Sequence, residues 1–412
     1  RLGPPNFSPV QTRGIEYWTD GEVERIFLAT LGKQLVSIDV ATGRADPDFG
    51  DNGFIDLKEN LGRLEFEIRN ITHGAPPIAV GNTVIIGSKI FDYAMLNRSP
   101  PGHVRGYDAR SGEFKWRFNT IPQGDEEFVE TWENDSWRIA GNTNVWTFMA
   151  ADDELGLVYL PVSTPTNDYW GGMRLGENVY AESLVVLKAD TGERVWHFQT
   201  VHHGLWDYDI ASAPNLIDIT VDGREIKAVA QVSKTGFTYV FDRETGEPVW
   251  PIEERPVETD TDLEGEVLSP TQPFPTKPPP FEYQGLTIDD LVDFTPEIRA
   301  LAVEAVRNFR LGPLFTPPML SVDGGLQGTI QRPQIGGAAT WSGAAVDPET
   351  GLLYVPSSNR FSVLKYYTPD PAEGGNLRFT QADFGSGTQP TMPQGLPLLK
   401  PPYSRMTAIA LN

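Results

Sequence analysis

Short runs of apolar residues recur along the whole chain, and many end at an Asp followed by a Thr-Gly or Ser-Gly turn. Runs of this length bounded by turn residues are typical of β-strands. After the turn a second run follows, and it often reaches a Trp. The copies of this pattern are SIDVATGRADPDFG (37–50), GYDARSGEFKW (106–116), VLKADTGERVW (186–196), VFDRETGEPVW (240–250) and AVDPETGLLYV (345–355).

Each copy is predicted to be an antiparallel hairpin. The turn glycines can adopt the positive φ that such turns require, and a neighbouring Asp or Thr can bind turn amides. ADDELGLVYLPV (151–162) is a similar hairpin, and the final MTAIALN is a further copy that stops before its turn. A four-stranded sheet cannot bury both faces alone, whereas a ring of such sheets can. The repeat therefore predicts an all-β propeller whose blades pack through Trp116, Trp196 and Trp250.

The segment 251–334 departs from the repeat. It opens with an acidic run, and PTQPFPTKPPPFEY (270–283) is predicted to be extended and polyproline-like. In 286–312 apolar residues recur at helical spacing, and Thr295 followed by Pro296 has the pattern of an N-cap and first turn. We expect a partly helical insertion within one propeller domain. A segment this long usually has a role, although a plain covering segment is an equally good interpretation.

The formal charge of −23 limits the partners of this chain of 412 residues. Such a surface repels nucleic acid and anionic lipid headgroups and would favour a basic partner, such as a cationic electron carrier. An acidic surface without any partner explains the charge equally well. The chain contains no cysteine, which excludes disulfides, thiolate catalysis and Cys-ligated metal centres. No stretch approaches the ~18 consecutive apolar residues of a transmembrane helix.

Few residues have the patterns that known chemistry requires. No HExxH, GxSxG or Walker A motif occurs, so hydrolase and nucleotide-cofactor sites lack their residues. His202 and His203 are adjacent, and on a strand they would point to opposite faces and could not easily bind one metal. Asp207 in LWD and Lys234 in VSKTG remain as candidates. Taken alone, an Asp and a Lys are most often solvated surface charges.

Several stretches, in the same order along nearly the whole chain, resemble the quinoprotein alcohol and glucose dehydrogenases. These enzymes bind pyrroloquinoline quinone (PQQ) and a Ca²⁺-type ion at the centre of an eight-bladed propeller. The VHHxLWD and PTQPF stretches resemble the glucose-dehydrogenase-like branch in particular. The matching stretches are ADPDFGDNGFIDL (45–57), PPGHVRGYDARSG (100–112), FQTVHHGLWDYD (198–209), SKTGFTYVFDRETGEPVWPIEE (233–254), SPTQPFPTKPP (269–279) and LFTPP (314–318).

The resemblance implies roles for five residues near the reaction. Asp207 would be the catalytic base and lie beside the metal, and Lys234 would contact the quinone oxygens. Trp146, for which packing between blades is the favoured interpretation without the resemblance, would lie flat against the cofactor. Asp92 would be a metal ligand, and Thr164 falls where alcohol dehydrogenases place a metal-binding Asn.

The resemblance also places Arg13, Thr72, Ser88 and Asn359 at positions that contact the cofactor. Residues of these types suit PQQ, because its three carboxylates and its quinone need cationic and hydroxyl donors while its flat face suits an indole. A hard cation prefers carboxylate and carbonyl oxygens, so Ca²⁺ is expected, with Mg²⁺ or another hard cation as alternatives.

Two features depart from the family. The glucose branch has a His shortly after the position of Arg13, thought to bear on sugar binding, where this chain has Trp18. The chain is also short for the family, with about five to six blades, and lacks strands at both ends, although open sheet edges are prone to aggregation. It begins at Arg1. We interpret it as a fragment, with a gap filled by another chain as the alternative.

The resemblance implies an enzyme that oxidises an alcohol or sugar hydroxyl and passes the electrons to ubiquinone or cytochrome c. Enzymes of this family work in the bacterial periplasm, so the same location is expected. The alternative is a non-catalytic propeller that keeps the repeat as an interaction scaffold. A scaffold has no use for Asp207, Lys234, Trp146 and Arg13 together, which favours the enzyme. A third possibility is a chain without cofactor, because truncation removed part of the site.

Overall fold

The computed structural model describes residues 13–62, 71–90, 96–370, 372, 375–381 and 389–412. Within these ranges the chain folds into a series of mostly antiparallel sheets that follow one another along the sequence. The first sheet has the order β1-β2-β3-β4, and β5 also pairs with β3. Its strands are β1 (Glu16–Thr19), β2 (Glu24–Ala29), β3 (Gln34–Asp39), β4 (Arg44–Ala45) and β5 (Phe54–Asp56).

Two four-stranded sheets follow. The second sheet has the order β11-β10-β8-β7, the third runs β12-β13-β14-β15, and β6 pairs separately with β9. The strands are β6 (Ile71–Thr72), β7 (Ile78–Val80), β8 (Thr83–Ile86), β9 (Lys89–Ile90), β10 (Val104–Asp108), β11 (Phe114–Phe118), β12 (Ala150–Asp152), β13 (Leu157–Pro161), β14 (Ser183–Lys188) and β15 (Arg194–Gln199). Short 3₁₀ turns at Val129–Thr131 and Glu133–Arg138 lie in the connection before the third sheet.

The later sheets are smaller. They are β16-β17-β18, the hairpin β19-β20, the mixed sheet β21-β22-β25, the sheet β23-β24-β28 and the pair β26-β27. One α-helix, α1, and 3₁₀ turns at Ile288–Asp290 and Pro393–Gly395 lie among them. The elements are β16 (Asn215–Val221), β17 (Arg224–Val232), β18 (Thr238–Asp242), β19 (Ile252–Pro256), β20 (Thr271–Pro275), α1 (Pro296–Val306), β21 (Phe309–Arg310), β22 (Gly328–Gln331), β23 (Ala345–Asp347), β24 (Leu352–Ser358), β25 (Ser362–Leu364), β26 (Tyr366–Tyr367), β27 (Thr380–Gln381) and β28 (Ser404–Ala410).

The repeated hairpins form as the sequence predicts, apart from one. In VFDRETGEPVW the run after the turn makes a single bridge, between Phe241 and Pro248, in place of a strand. Pro248 interrupts the ladder because it has no N–H to donate. The turns themselves are built alike: the Asp108 carboxylate accepts from the Ser111 amide at 2.7 Å, and the corresponding Asp242 accepts from Thr245 at 3.0 Å.

The tryptophans of the repeat join one sheet to the next. The Trp116 indole lies on the turn of the third sheet, so close that a β-carbon on Gly192 would be 2.6 Å from the ring. Its Nε1 also donates to the Ala189 carbonyl at 2.9 Å. Trp196 packs in the same way on Gly246 of the following repeat. These contacts confirm packing between blades for Trp116 and Trp196. The half-buried Trp250 also packs against a core cluster that is shared by the sheets β16-β17-β18 and β23-β24-β28.

The insertion is partly as predicted. Helix α1 begins at Pro296, and the Thr295 hydroxyl caps it by accepting from the Ile298 amide at 3.3 Å. The Pro-rich stretch differs from the expected polyproline conformation, because Thr271–Pro275 pairs with Ile252–Pro256 in an antiparallel hairpin. No helix in the part of the chain that the structure covers has the length and apolar character needed to cross a membrane.

Candidate active site

A cavity of about 380 Å³ opens at one end of the successive sheets. Its walls come from loops that leave the strands at this end, including those between β11 and β12, β15 and β16, β17 and β18, and β22 and β23. The volume lies within the ~300–1,000 Å³ of ligand sites. Its lining residues are Lys89, Asn142, Trp146, Ser163, Thr164, Asp168, Asp207, Asp209, Lys234, Gln334, Ile335, Gly336, Thr340 and Trp341.

Lys234 is the buried cation of this cavity. Its ammonium donates to the Asp207 carboxylate at 2.7 Å and lies 3.6 Å from a carboxylate oxygen of Asp209. Burial alone would lower the pKa of Lys234, but the charges of the two carboxylates outweigh that effect and raise it. Lys234 therefore keeps its positive charge at the cavity wall.

Asp209 holds three predicted site residues together, although sequence reasoning did not single it out. It accepts from the Trp146 indole N–H at 2.9 Å and from the backbone N–H of Thr164 at 2.9 Å, and the Thr164 hydroxyl donates to it as well. Burial raises the pKa of Asp209, but the charge of Lys234 and the hydrogen bonds from Thr164 and Trp146 lower it overall. The signal in the sequence was its position two residues after Asp207 in LWDYD.

Asp207 is presented to the cavity by a tightly held loop. Its backbone has φ 53°, a left-handed conformation that non-glycine residues adopt rarely. The preceding Trp206 is fixed on both sides: its indole donates to the Thr316 carbonyl at 2.9 Å, and its own carbonyl accepts from Gln331 at 2.8 Å. The Asp207 side chain is 21% exposed. A partly exposed carboxylate in this position can accept a proton from a bound hydroxyl group.

Two cationic side chains lie near the ring of Trp146. The Arg13 guanidinium lies 4.8 Å from the Trp146 ring centre and 4.7 Å from that of Trp341, and it donates to the Trp146 carbonyl at 2.9 Å. Lys89 lies 5.9 Å from the Trp146 ring centre. Sequence reasoning missed Lys89 and Trp341, because no local pattern marks a side chain that tertiary packing brings to a cavity.

A fully buried acid, Glu182, lies behind the cavity wall. Its carboxylate is 3.5 Å from the Thr164 hydroxyl, and one of its oxygens has no hydrogen-bond partner. Burial, together with the nearby charge of Asp209, raises the pKa of Glu182 to about 8. Sequence reasoning gave no indication of this residue.

Comparison with known proteins identifies the family. The family model of the PQQ glucose/ethanol/alcohol dehydrogenase β-propeller domain matches residues 4–412. The chain belongs to this family. It is 30% identical to the glycerol dehydrogenase large subunit of Gluconobacter oxydans over 97% of this chain and 56% of that protein. It is 32% identical to the quinoprotein glucose dehydrogenase of Escherichia coli over 79% of this chain and 39% of that protein.

The fold of this PQQ dehydrogenase family is found in solved structures. The quinohemoprotein alcohol dehydrogenase of Comamonas testosteroni superimposes with a TM-score of 0.64 at 21% identity, covering 97% of this chain and 52% of that one. This likeness confirms the predicted quinoprotein-type propeller. The chain spans about half the length of the curated relatives it matches.

The structure brings together five of the residues that the PQQ-dehydrogenase resemblance selected. Trp146, Thr164, Asp207 and Lys234 line the cavity, and Arg13 stacks on Trp146. Asp92 lies outside the described residues.

The other selected residues are not among the described lining residues. Thr72 is half-buried, and its hydroxyl donates to the Lys89 carbonyl at 3.3 Å. Ser88 is buried beside Lys89. Asn359 is buried, and its amide donates to the Pro402 carbonyl at 3.0 Å. Trp18 packs in the core of the first sheet and donates to the Gly81 carbonyl at 2.7 Å, so it does not take the place of the sugar-branch histidine in this cavity.

The residues that line the cavity fit PQQ better than they fit a metal ion. The half-buried Trp146 indole lines the cavity together with Lys89 and Lys234, and Arg13 lies over its ring. This set of groups suits a flat molecule with several carboxylates. Among the residues that the structure describes, no three His, Cys, Asp or Glu form a group that could hold a metal by themselves. The oxygens of Asp207 and Thr164 are nevertheless the donor types that a hard cation prefers.

Proposed function

We propose that this chain carries the active site of a PQQ-dependent dehydrogenase that oxidises an alcohol or sugar hydroxyl to the carbonyl. The observation that supports this most strongly is the cavity itself. It contains a partly exposed carboxylate, Asp207, which is fixed by the buried cation Lys234 in a cavity that Trp146 also lines. A carboxylate held in this way can bind a substrate hydroxyl and accept its proton.

PQQ would be held by residues that match its chemistry. Trp146 offers a flat face for the tricyclic ring, and Arg13 and Lys89 offer positive charge to its carboxylates. Lys234 offers a hydrogen bond to the quinone oxygens. When bound, PQQ supplies the quinone that accepts the hydride. Asp207 and Thr164 would contact a Ca²⁺ ion, or another hard cation such as Mg²⁺.

Asp207 takes the substrate proton in this proposal. The hydrogen bond from Lys234 orients this carboxylate, which lines the cavity where a substrate hydroxyl would bind. Asp209 holds Lys234, Trp146 and Thr164 in one arrangement and thereby fixes the distance between base and cofactor. Such fixed positions can account for several powers of ten in rate.

The substrate is expected to be a small molecule with a hydroxyl group. Relatives are named for glycerol, glucose and quinate, which all carry hydroxyls on neighbouring carbons. We also propose that the electrons pass to ubiquinone or cytochrome c and that the protein works in the periplasm. The scaffold alternative is not favoured, because a scaffold would not need a buried lysine with two carboxylates at a cavity wall.

Reconstitution tests the proposal. The purified chain is incubated with PQQ and Ca²⁺, and reduction of an artificial dye is followed with a panel of alcohols, polyols and sugars. Dye reduction should require both additions and should fall at least ~10³-fold in Asp207→Asn, because the proton acceptor is lost. Asp218→Asn is the matched control, since the Asp218 side chain is 72% exposed. Equal activity in the Asp207→Asn variant and the wild type would contradict the proposed role.

A further inference from the structure

The loop that carries Asp207 is held by the insertion that interrupts the repeat. Gln272, in the PTQPF stretch, is fully buried, and its amide binds the backbone of His202 twice. It accepts from the His202 N–H at 2.8 Å and donates to the His202 carbonyl at 2.8 Å. The two stretches VHHxLWD and PTQPF therefore meet in one contact.

His203 makes a second contact with the insertion. Its Nε2 lies 2.7 Å from the Glu266 carboxylate, and its Nδ1 lies 2.7 Å from the Gly176 carbonyl. The side chains of His203 and Glu266 are 2% and 0% exposed. Leu263 and Leu268 flank Glu266 and are buried in the main core cluster, so the insertion cannot move without disturbing that core.

The hydrogen bonds define how this pair is joined. A carbonyl oxygen only accepts, so Nδ1 of His203 must carry a proton. Glu266 accepts from the Gly171 N–H at 2.6 Å with its other oxygen. Burial raises the pKa of Glu266, but the hydrogen bond with His203 and the charge of the buried Arg174 lower it overall. Both polar groups of the pair are therefore engaged on all sides that the contacts describe.

The surrounding backbone leaves little room for another arrangement. His203 has φ 46°, and a β-carbon on Gly171 would lie 2.5 Å from its ring nitrogen. Arg174 donates to the Gly204 carbonyl at 2.7 Å and thereby fixes the next peptide group. The loop from His203 to Asp207 is thus fixed at its start by the hydrogen bonds of His203 and at its end by the contacts of Trp206.

We infer that Glu266, through its hydrogen bond with the His203 ring, is a positioning residue that fixes the loop carrying Asp207, and that the insertion acts as its clamp. The role of the clamp in catalysis rests on the proposed function. The buried contact between Glu266 and His203 does not. A shift of about 1 Å in a catalytic group can lower the rate by about 10²-fold, so a contact distant from the reaction can control it.

Nitrogen NMR of the histidine-labelled wild-type chain tests the buried contact without any cofactor. The chain has five histidines, and a His203→Gln variant assigns the signals. We expect a protonated Nδ1 in His203, because it faces the Gly176 carbonyl, and a hydrogen bond between Nε2 and the Glu266 carboxylate. An unprotonated Nδ1, or an Nε2 without that hydrogen bond, would overturn the inference.

Glu266→Gln tests the clamp, and Glu254→Gln is the matched control. Glu254 pairs with the adjacent His202 at 3.1 Å, but its side chain is 51% exposed. In the reconstituted enzyme Glu266→Gln should lower kcat about 10- to 100-fold with KM within about threefold, while Glu254→Gln changes kcat less than about twofold. Amide exchange in 203–209 of the cofactor-free chain should accelerate only in Glu266→Gln.

Equal kcat and equal amide exchange in Glu266→Gln and Glu254→Gln would overturn the clamp. If wild-type reconstitution fails, the proposed function fails, while the NMR and exchange measurements still decide whether the buried pair fixes the loop.

Discussion

Lys234 connects the two carboxylates of the cavity. Its ammonium donates to Asp207 and lies beside Asp209, and both Lys234 and Asp209 are buried. A buried charge pair contributes little net stability as a whole, but removal of one partner leaves the other charge without compensation. Replacement of Lys234 should therefore lower both the free energy of unfolding and the affinity for the cofactor.

Lys234→Gln is predicted to lower the free energy of unfolding by ~3 kcal/mol, because two carboxylates lose their cation. Urea unfolding of the cofactor-free chain measures the change. Lys227→Gln is the control, since Lys227 pairs with Glu154 at a site where the two side chains are 35% and 79% exposed. The control should change the free energy of unfolding by less than ~0.5 kcal/mol. Equal losses of unfolding free energy in the two variants would contradict the claim that Lys234 is a buried partner of two carboxylates.

His197 should make the protein sensitive to acid. It packs between Phe128 and Tyr180, with ring centres 5.1 and 4.9 Å away. Burial, with a smaller contribution from the charge of Arg194, lowers the pKa of His197 to about 4. Between that pKa and the ordinary value near ~6.5, the unfolded chain binds a proton that the folded chain does not. Stability must therefore fall as the pH drops through this window.

His197→Phe should remove this part of the acid sensitivity while keeping the aromatic packing. From pH 7 to pH 5 the free energy of unfolding of the wild type should fall by ~2 kcal/mol more than that of the variant. Urea unfolding at the two pH values measures both changes. An identical fall in the two proteins would show that His197 titrates normally in the folded state.

At the scale of the hairpin, the repeat combines a local turn with a contact to the neighbouring sheet. Gly192 has φ 71° and lies against Trp116 of the preceding sheet. Gly223, in the hairpin of β16 and β17, has φ 77°, and a β-carbon added there would have no atom within 4 Å. Both glycines adopt a positive φ. Only Gly192 also leaves room for a neighbouring indole, so a comparison of the two positions separates the cost of backbone strain from the cost of lost packing.

Gly192→Ala is predicted to destabilise the chain by ~2 kcal/mol more than Gly223→Ala. Both variants incur the cost of an alanine at positive φ, but only the first also forces a methyl group into the Trp116 ring. Thermal or urea unfolding of both variants measures the difference. Equal destabilisation of the two variants would mean that the close contact between Trp116 and the turn contributes nothing to stability.

Sequence reasoning predicted the elements that are determined by residues close together in the chain. The Asp, Thr and Gly of each turn, and the capped helix after Thr295, depend on neighbouring residues and formed as expected. The hairpin at 271–275 was mistaken for polyproline because prolines on an edge strand leave no signature of pairing. Asp209, Lys89 and Gln272 were missed because their roles arise from residues distant in sequence.

At the scale of the whole molecule, loops from successive sheets come together and build the cavity that contains Asp207 and Lys234. The insertion contributes to this arrangement as well, since Gln272 and Glu266 reach the loop that carries Asp207. The chain spans about half the length of its curated relatives, so the test that matters most is whether these residues bind the cofactor by themselves.

Calorimetric titration of PQQ into the chain, with Ca²⁺ present, tests the central claim most directly. We predict one saturable site in the wild type, the same affinity in Lys227→Gln, and an affinity at least ~10-fold weaker in Lys234→Gln, because a charged hydrogen bond is lost. Absence of binding in the wild type, or equal binding in Lys234→Gln, would contradict the assignment of this cavity as the PQQ site.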